Sequence, residues 1–136
     1  MNKVAKHIQE CKANDIITPL IVGDLSSYRN ILHASDVANA IHLIISQDKA
    51  EDYLICNTES HKVYDLVLQL YANAGIELEQ RENILYKKGT YIEVVKMENK
   101  YVGFDALPTN IQGYPTKLLN LGWTPIKSIY DILHDI

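Results

Sequence analysis

Histidine and cysteine are the residue types here that most often serve as metal ligands, proton donors or redox groups. Cys11 and Cys56 form no Cys-x-x-Cys motif, so their spacing predicts neither a zinc knuckle nor a redox pair. His42 falls within an apolar helical pattern, which favours a half-buried packing residue over a ligand. We therefore expect no metal site in this chain.

The other histidines fall on surface helices or just before helix starts. His7 and His134 are predicted to lie on surface helices. His33 and His61 each precede a predicted helix, where an imidazole often bonds the nearby backbone. A direct substrate role for His33 or His61 is the less favoured alternative.

Several catalytic motifs are absent from the sequence. The six glycines form no Gly-x-Gly-x-x-Gly, so the tight turn that lets a backbone approach a pyrophosphate is missing. None of the nine tyrosines is followed by a lysine four residues later, which excludes a tyrosine base with a helical lysine partner. There is also no Gly-x-Ser-x-Gly, His-Glu-x-x-His or P-loop motif. We expect no cofactor to be bound by this chain alone.

The composition is that of one soluble globular domain. The 136 residues include 13 Lys and Arg against 17 Asp and Glu, and 47% of them are hydrophobic, which allows a sizeable core and excludes disorder. The net charge of -4 repels nucleic acids and anionic membranes, so neither is an expected partner. No stretch is apolar enough to predict a membrane span. The sparse cysteines favour the cytoplasm.

Hydrophobic spacing predicts five helices. Apolar residues recur every three to four positions within each of them. Ser35, with Asp36 after it, and Ser60 are the expected N-terminal residues of two of them. Gly75 and Gly122 stand where helices end in a left-handed conformation. The predicted helices span 2–13, 35–47, 60–75, 116–121 and 128–135.

Short apolar and β-branched runs predict the strands. A connection containing Lys87, Lys88 and Gly89 suggests a hairpin between the last two runs. The predicted strands span 16–24, 28–32, 52–57, 84–86 and 91–95.

Four segments, in order along the chain, carry a recognisable pattern: GDLSSYRNILHASDV (23–37), EDYLICNTESHKV (51–63), LPTNI (107–111) and PTKLLNLGWTP (115–125). They resemble segments of extended short-chain dehydrogenases, and most of all of the GDP-mannose 4,6-dehydratases. The first is similar to the family's Gly-Asn-Leu segment, which leads to Arg-Asp and then to His-Ala and a helix-opening Asp. The second is similar to its Gly-Glu-x-His-Ser-Val turn, the third to Arg-Pro-Thr-Glu-Val, and the fourth to a closing Leu-Gly-Trp-x-Pro turn.

The resemblance covers only the carboxy-terminal, substrate-binding region of such enzymes. It implies that residues 1–136 form a single small mixed α/β domain without the Rossmann half, which in the family holds NAD(P) and the catalytic Tyr-x-x-x-Lys. The implied function is nucleotide-sugar binding, not catalytic by itself, in a fragment or remnant of an NAD(P)-dependent dehydratase or epimerase. The alternative is a stand-alone, inactive binding or interaction module derived from that family.

The resemblance implies a substrate contact at six positions. Arg29 matches an arginine that faces the nucleotide diphosphate, and a planar guanidinium suits paired bonds to phosphate oxygens. Val63 matches an apolar residue beside the base. Lys3 matches a lysine near the nucleotide, although a solvated helix lysine is an equally favoured interpretation. The six positions are Lys3, Asp24, Leu25, Arg29, Val63 and Asn110.

Four positions depart from the family pattern. Leu107 replaces an arginine and Asn110 a glutamate, so one phosphate contact and one acceptor are lost. Asp24 replaces an asparagine and adds a negative charge near a site for a dianion, and Tyr64 stands where arginine is common. Losing a charged bond to phosphate costs roughly 1.5 to 3 kcal/mol, which weakens the prediction of GDP-mannose itself.

The expected partners follow from the same resemblance. A GDP-sugar is the favoured nucleotide sugar, and NAD(P) is expected only together with a Rossmann half. A domain separated from that half would expose an apolar face, and exposed apolar surface tends to be covered. We therefore predict either a Rossmann-domain partner or a homo-oligomer.

Overall fold

A computed structural model describes residues 1–14, 17–98 and 112–135. The chain divides into two compact units, which are described separately. Of the described residues, unit 1 comprises 1–14, 17–27 and 62–98, and unit 2 comprises 28–61 and 112–135. The predictions at Ile16, Leu107 and Asn110 lie outside the described residues.

The described ranges contain five helices and six strands. The helices are α1 (Asn2–Ala13), α2 (Ala34–Ile45), α3 (Val63–Asn73), α4 (Thr116–Asn120) and α5 (Ile129–His134). The strands are β1 (Leu20–Val22), β2 (Tyr28–Asn30), β3 (Ser60–Lys62), β4 (Leu78–Arg81), β5 (Ile84–Lys87) and β6 (Glu93–Met97). The mixed α/β class predicted from the sequence is confirmed.

A four-stranded mixed sheet forms the centre of unit 1, in the order β1-β6-β5-β4. β1 runs parallel to β6, whereas β5 is antiparallel to both β6 and β4. The predicted hairpin is confirmed as β5 and β6, with Gly89 at a φ of 74° in its connection. Val94 and Val95 are both fully buried although they face opposite sides of β6, as expected of a central strand.

Helices α1 and α3 contact each other in unit 1. α1 buries Val4 and Ile8, and α3 buries a stripe that includes Leu70 and Tyr71. His7 was predicted on the surface, and this is wrong: its side chain is buried because α1 turns this position toward Tyr71.

Unit 2 contains β2, residues Ser60 and His61 of β3, and a small apolar core that includes a residue of α2. Ala40, Leu118 and Trp123 form this core. The prediction that His42 packs half-buried is wrong, because His42 lies on the exposed face of α2.

Two predicted N-caps are corrected. His33, not Ser35, caps α2: its Nδ1 accepts a hydrogen bond from the Ser35 amide at 3.1 Å. Ser60 lies within β3, and Lys62 is the N-terminal flanking residue of α3 without a capping side chain. His33 therefore bonds backbone as predicted.

The predicted strand at Asp52–Asn57 is wrong, because residues 51–57 form no ladder. Tyr53 and Ile55 pack instead against the core of unit 2. Among the described helices, none combines the length and the hydropathy needed to cross a bilayer.

Candidate functional site

A loop before β2 is joined to the start of α3 by two backbone hydrogen bonds in unit 1. The amide of Val63 donates to the carbonyl oxygen of Ser27 at 2.9 Å, and the amide of Tyr64 donates to that of Leu25 at 3.0 Å. These bonds satisfy two of the helix N–H groups that lack partners within the helix. The structure thus places the loop that contains Asp24 and Leu25 beside the start of α3, where Val63 lies.

The Asp24 carboxylate is held by its own loop. It accepts a hydrogen bond from the Ser26 amide at 2.8 Å and another from the Ser26 hydroxyl. The hydroxyl bond, the amide bond and the nearby charge of Lys62 lower the pKa of Asp24. The extra negative charge at this position is thus partly compensated within unit 1.

Lys62 is a candidate site residue that the sequence did not reveal. Its side chain is half-buried, and its Nζ lies 5.5 Å from the centroid of the Tyr64 ring, within range of a cation–π interaction. It forms no ion pair with any carboxylate in the described ranges. The only signal in the sequence is a lysine directly before an apolar helix.

Arg29 lies on β2 in unit 2, with a half-buried side chain. Its Nη1 donates to the carbonyl oxygen of Tyr28 at 2.8 Å. It too forms no ion pair within the part of the chain that the structure describes. A guanidinium has five N–H donors, so donors remain for an anionic ligand.

The two remaining predicted site residues gain no support from their surroundings. Lys3 is exposed on α1, and its side chain makes no hydrogen bond or ion pair with a described residue. Asn110 lies outside the described residues. Of the six predicted residues, Asp24, Leu25 and Val63 lie in unit 1 on the loop and at the helix start that hydrogen bonds join, and Arg29 lies in unit 2.

Asn30 is a second residue whose role the sequence did not reveal. Its side-chain amide donates to the carbonyl oxygens of Asn57 at 2.7 Å and Glu59 at 3.1 Å. Its Oδ1 accepts from the Asn57 amide at 2.7 Å. Asn30 thus fixes the turn before β3 from the strand that contains Arg29.

The described residues offer no fit for a metal or a dinucleotide. Within them, no group of three or more His, Cys, Asp or Glu residues could hold a metal ion. The described glycines with positive φ are Gly75, Gly89 and Gly122, which lie after helices or in a hairpin. A pyrophosphate loop instead requires glycines directly before a helix N-terminus.

The family model described as "GDP-mannose 4,6 dehydratase" matches residues 1–136. Among curated proteins, the chain is similar to the GDP-mannose 4,6 dehydratase of Drosophila melanogaster, with 27% identity over 123 residues that cover 85% of this chain and 30% of the relative. It is also similar to that of Dictyostelium discoideum, with 29% identity over 120 residues that cover 82% and 32%. The chain thus spans about a third of the length of these relatives.

Two solved structures share the fold. RMD from Pseudomonas aeruginosa, complexed with NADPH, matches with a TM-score of 0.70 and 20% identity over 98% of this chain and 38% of its own. The dTDP-glucose 4,6-dehydratase of Bacillus anthracis, in complex with NAD, matches with a TM-score of 0.66 and 17% identity over 97% and 36%.

Proposed function

The chain belongs to the GDP-mannose 4,6-dehydratase family, and from this premise we propose that it is the nucleotide-sugar-binding part of an NAD(P)-dependent sugar-nucleotide dehydratase. In this proposal it is not catalytic by itself. Residues 1–136 act as one substrate-binding domain, and a GDP-sugar is the favoured ligand.

The observation that supports nucleotide binding most is the presence of two half-buried cations that form no ion pair with a described carboxylate, although Lys62 lies near the charge of Asp24. Arg29 in unit 2 and Lys62 in unit 1 have this property, whereas the half-buried Lys96 and Lys127 pair with acidic residues. A half-buried cation loses part of its hydration, and a phosphate group can restore charge-assisted hydrogen bonds. We propose Arg29 and Lys62 as phosphate-binding residues.

The other predicted contacts of unit 1 have apolar or polar roles in the proposal. Val63 would pack beside the base, and Asp24 and Leu25 would belong to the loop under the nucleotide, which Ser26 holds through its bonds to Asp24. Lys3 and Asn110 stay predictions from the resemblance.

NAD(P) belongs, in this proposal, to a Rossmann half outside these 136 residues. The two structural relatives are complexes with NADPH or NAD, but the glycines described in this chain do not fit a dinucleotide loop. A cytoplasmic location is also proposed, with support from the free thiols of Cys11 and Cys56.

Calorimetry with a panel of ligands tests the proposal. GDP-mannose, GDP, and UDP- and dTDP-sugars would be titrated into the chain and into its Arg29→Ala and Lys62→Ala variants. We expect a GDP-sugar to bind, and each variant to weaken it about tenfold or more, because a hydrogen bond to a charged group contributes roughly 1.5–3 kcal/mol.

The matched control is Arg81→Ala, which removes the same charge from an exposed position paired with Glu79. It should leave the affinity unchanged. Absence of binding to every member of the panel would exclude an independent substrate site in this chain. It would favour the alternative, an inactive interaction module.

A further inference from the structure

We propose that His33, Ser35 and Asp135 in unit 2 form a second site, at which the hydroxyl of Ser35 is a nucleophile that hydrolyses small acyl esters. The Oγ of Ser35 lies 2.6 Å from Nδ1 of His33, and Nε2 of His33 lies 3.8 Å from Oδ2 of Asp135. Nucleophilic catalysis requires this order: a nucleophile bonded to a base, and a base oriented by a third group. The reaction is separate from the proposed nucleotide binding, in which none of the three residues takes part.

The backbone determines which nitrogen of His33 can take a proton. The Ser35 amide, which can only donate, donates to Nδ1 at 3.1 Å, so Nδ1 carries no proton in the neutral ring. Nε2 therefore carries the ring proton and faces Asp135. Because Nδ1 is an acceptor, the Ser35 hydroxyl must donate to it, and its proton points at the base. General-base catalysis needs this protonation state.

Asp135 reaches His33 from a distant part of the sequence, directly after α5. Its distance of 3.8 Å from Nε2 is that of an ion pair, and catalytic contacts of this kind tighten when the substrate is bound. The same carboxylate oxygen lies 3.9 Å from Nζ of Lys127, so Asp135 would be shared by two cations once His33 is protonated. Asp135 is thus a positioning residue, which orients the imidazole and stabilises its charged form.

The nucleophile is open to solution, whereas the base is held in place. Ser35 is exposed in the first turn of α2, and His33 has 29% of its side chain exposed. The neighbouring exposed side chains of Ala34 and Ala38 are small, which leaves room for an acyl group beside Ser35. The carboxylate of Asp135 disfavours an anionic substrate. We therefore assign neutral esters of small carboxylic acids as the substrate class.

The reaction balances with water as the only co-reactant. The Oγ of Ser35 bonds to the ester carbonyl carbon while Nδ1 of His33 takes the hydroxyl proton. The amide of Ala34 forms no hydrogen bond with a described residue and would donate to the carbonyl oxygen as it gains negative charge. The bond from carbon to the alcohol oxygen then breaks, and His33 gives its proton to the leaving alkoxide. Water attacks the acyl-serine with His33 again as the base, which releases the carboxylic acid and the free hydroxyl of Ser35.

Covalent labelling of the full 136-residue chain tests the nucleophile. The probe is an alkyl fluorophosphonate, whose phosphorus bonds to the serine Oγ as fluoride leaves, and peptide mass spectrometry identifies the labelled residue. We expect the label on Ser35, and labelling about tenfold or more slower in His33→Asn, because general-base catalysis contributes at least this much. Asparagine keeps a side-chain acceptor at the N-cap of α2, so this variant removes the base and retains the cap.

Hydrolysis of p-nitrophenyl acetate tests turnover, followed by the absorbance of released nitrophenolate. Ser35→Ala and His33→Asn should each lower the rate about tenfold or more. Asp135→Asn should also lower the rate while thermal unfolding shows a folded chain. Asp135→Glu should restore the rate, because it returns a carboxylate to the same position.

Ser46→Ala and His42→Asn are the matched controls. Ser46 is exposed in the same unit, and its hydroxyl donates to the carbonyl oxygen of His42 at 2.8 Å instead of to an imidazole. His42 is an exposed histidine of α2. Both variants should be labelled and hydrolyse the ester as the unchanged chain does. Absence of label on Ser35, an equal labelling rate in His33→Asn, or equal hydrolysis by Ser35→Ala would each overturn the proposal.

Discussion

The imidazole of His7 and the hydroxyl of Tyr71 constrain each other inside unit 1. His7 Nε2 lies 2.7 Å from the carbonyl oxygen of Thr18, which can only accept. In the neutral ring Nε2 therefore carries the proton, and Nδ1 accepts from the Tyr71 hydroxyl at 2.6 Å. Burial raises the pKa of Tyr71 well above its ordinary value, so the hydroxyl keeps the proton that it donates.

Removing this hydroxyl should destabilise the protein. Tyr71→Phe leaves His7 Nδ1 buried with only the weak sulfur contact of Cys11 at 3.5 Å, and an unsatisfied buried acceptor costs roughly 1–3 kcal/mol. Urea denaturation measures the change in the free energy of unfolding. Tyr114→Phe, at an exposed position, is the control and should change stability by less than about 0.5 kcal/mol. Equal stability of both variants would exclude the inferred tautomer and its bond.

The loop at Asp24 makes a prediction about titration. Hydrogen bonds from Ser26 lower the pKa of Asp24 because they favour its carboxylate. The stabilisation by this group is therefore present at neutral pH and is lost as the pH falls through the lowered pKa. Ser26→Ala removes the hydroxyl bond, so the pKa of Asp24 should rise toward its ordinary value in an NMR titration of the carboxyl carbon. An unchanged or lower pKa in this variant would contradict the assignment.

At the scale of elements, Asp36 links α2 to the segment that follows α4. Its carboxylate accepts the amides of Ile126 and Lys127, and its carbonyl oxygen accepts Trp123 Nε1 at 3.2 Å. The sequence indicated only that an acidic residue suits the first turn of a helix. Its partners lie about ninety positions away in the chain, so no local pattern could indicate them.

Asp36→Asn should loosen this link. An asparagine side chain has one acceptor oxygen and one NH2 donor group, so one of the two backbone amides would face a donor instead of an acceptor. At least one charge-assisted bond, worth roughly 1.5–3 kcal/mol, is therefore lost. Urea denaturation measures the loss of stability, and hydrogen exchange should show faster exchange at Ile126 and Lys127. Asp65→Asn, an exposed first-turn change in α3, is the control. Protection at both amides equal to that of the unchanged chain would exclude the link.

Local signals predicted some elements and misled at others, for physical reasons. The bounds of α1 agree with the prediction because its apolar spacing is regular. β4 was not predicted, because Leu78–Arg81 is mostly polar and exists through its pairing with β5. Residues 52–57 were predicted to form a strand because most of them are apolar. An apolar run indicates that a segment is buried, but it does not show that its backbone pairs with another strand.

At the scale of the whole molecule, the candidate site was predicted from family motifs and only partly from physical pattern. The structure groups Asp24, Leu25 and Val63 because α3 receives its first hydrogen bonds from the preceding loop. Asn30 was missed because its role depends on partners from another segment, and Lys62 was missed because the local sequence does not show that its side chain is half-buried. Spacing along one chain cannot show which distant segments meet.

Exposed apolar surface is concentrated in unit 2. Of the eleven large hydrophobic side chains exposed in the described residues, eight belong to this unit. Helix α2 exposes Ile41 and Ile45 on one face, and its one charged residue of the Asp, Glu, Lys and Arg types is the buried Asp36. A helix face without charge is typical of a surface that another molecule covers.

We therefore expect the isolated chain to self-associate through α2. Sedimentation velocity at tens of micromolar should show a species heavier than the monomer. Ile45→Lys should shift the population toward monomer, because it places a charge in the apolar face. The helix itself should remain stable, since a cation near the carboxyl end of a helix interacts favourably with the helix dipole. Tyr114→Lys changes an exposed residue of the same unit outside α2 and should leave the association unchanged. A single monomeric species of the unchanged chain at this concentration would contradict self-association. We would then expect the apolar face of α2 to be covered by a different molecule, such as the proposed Rossmann half.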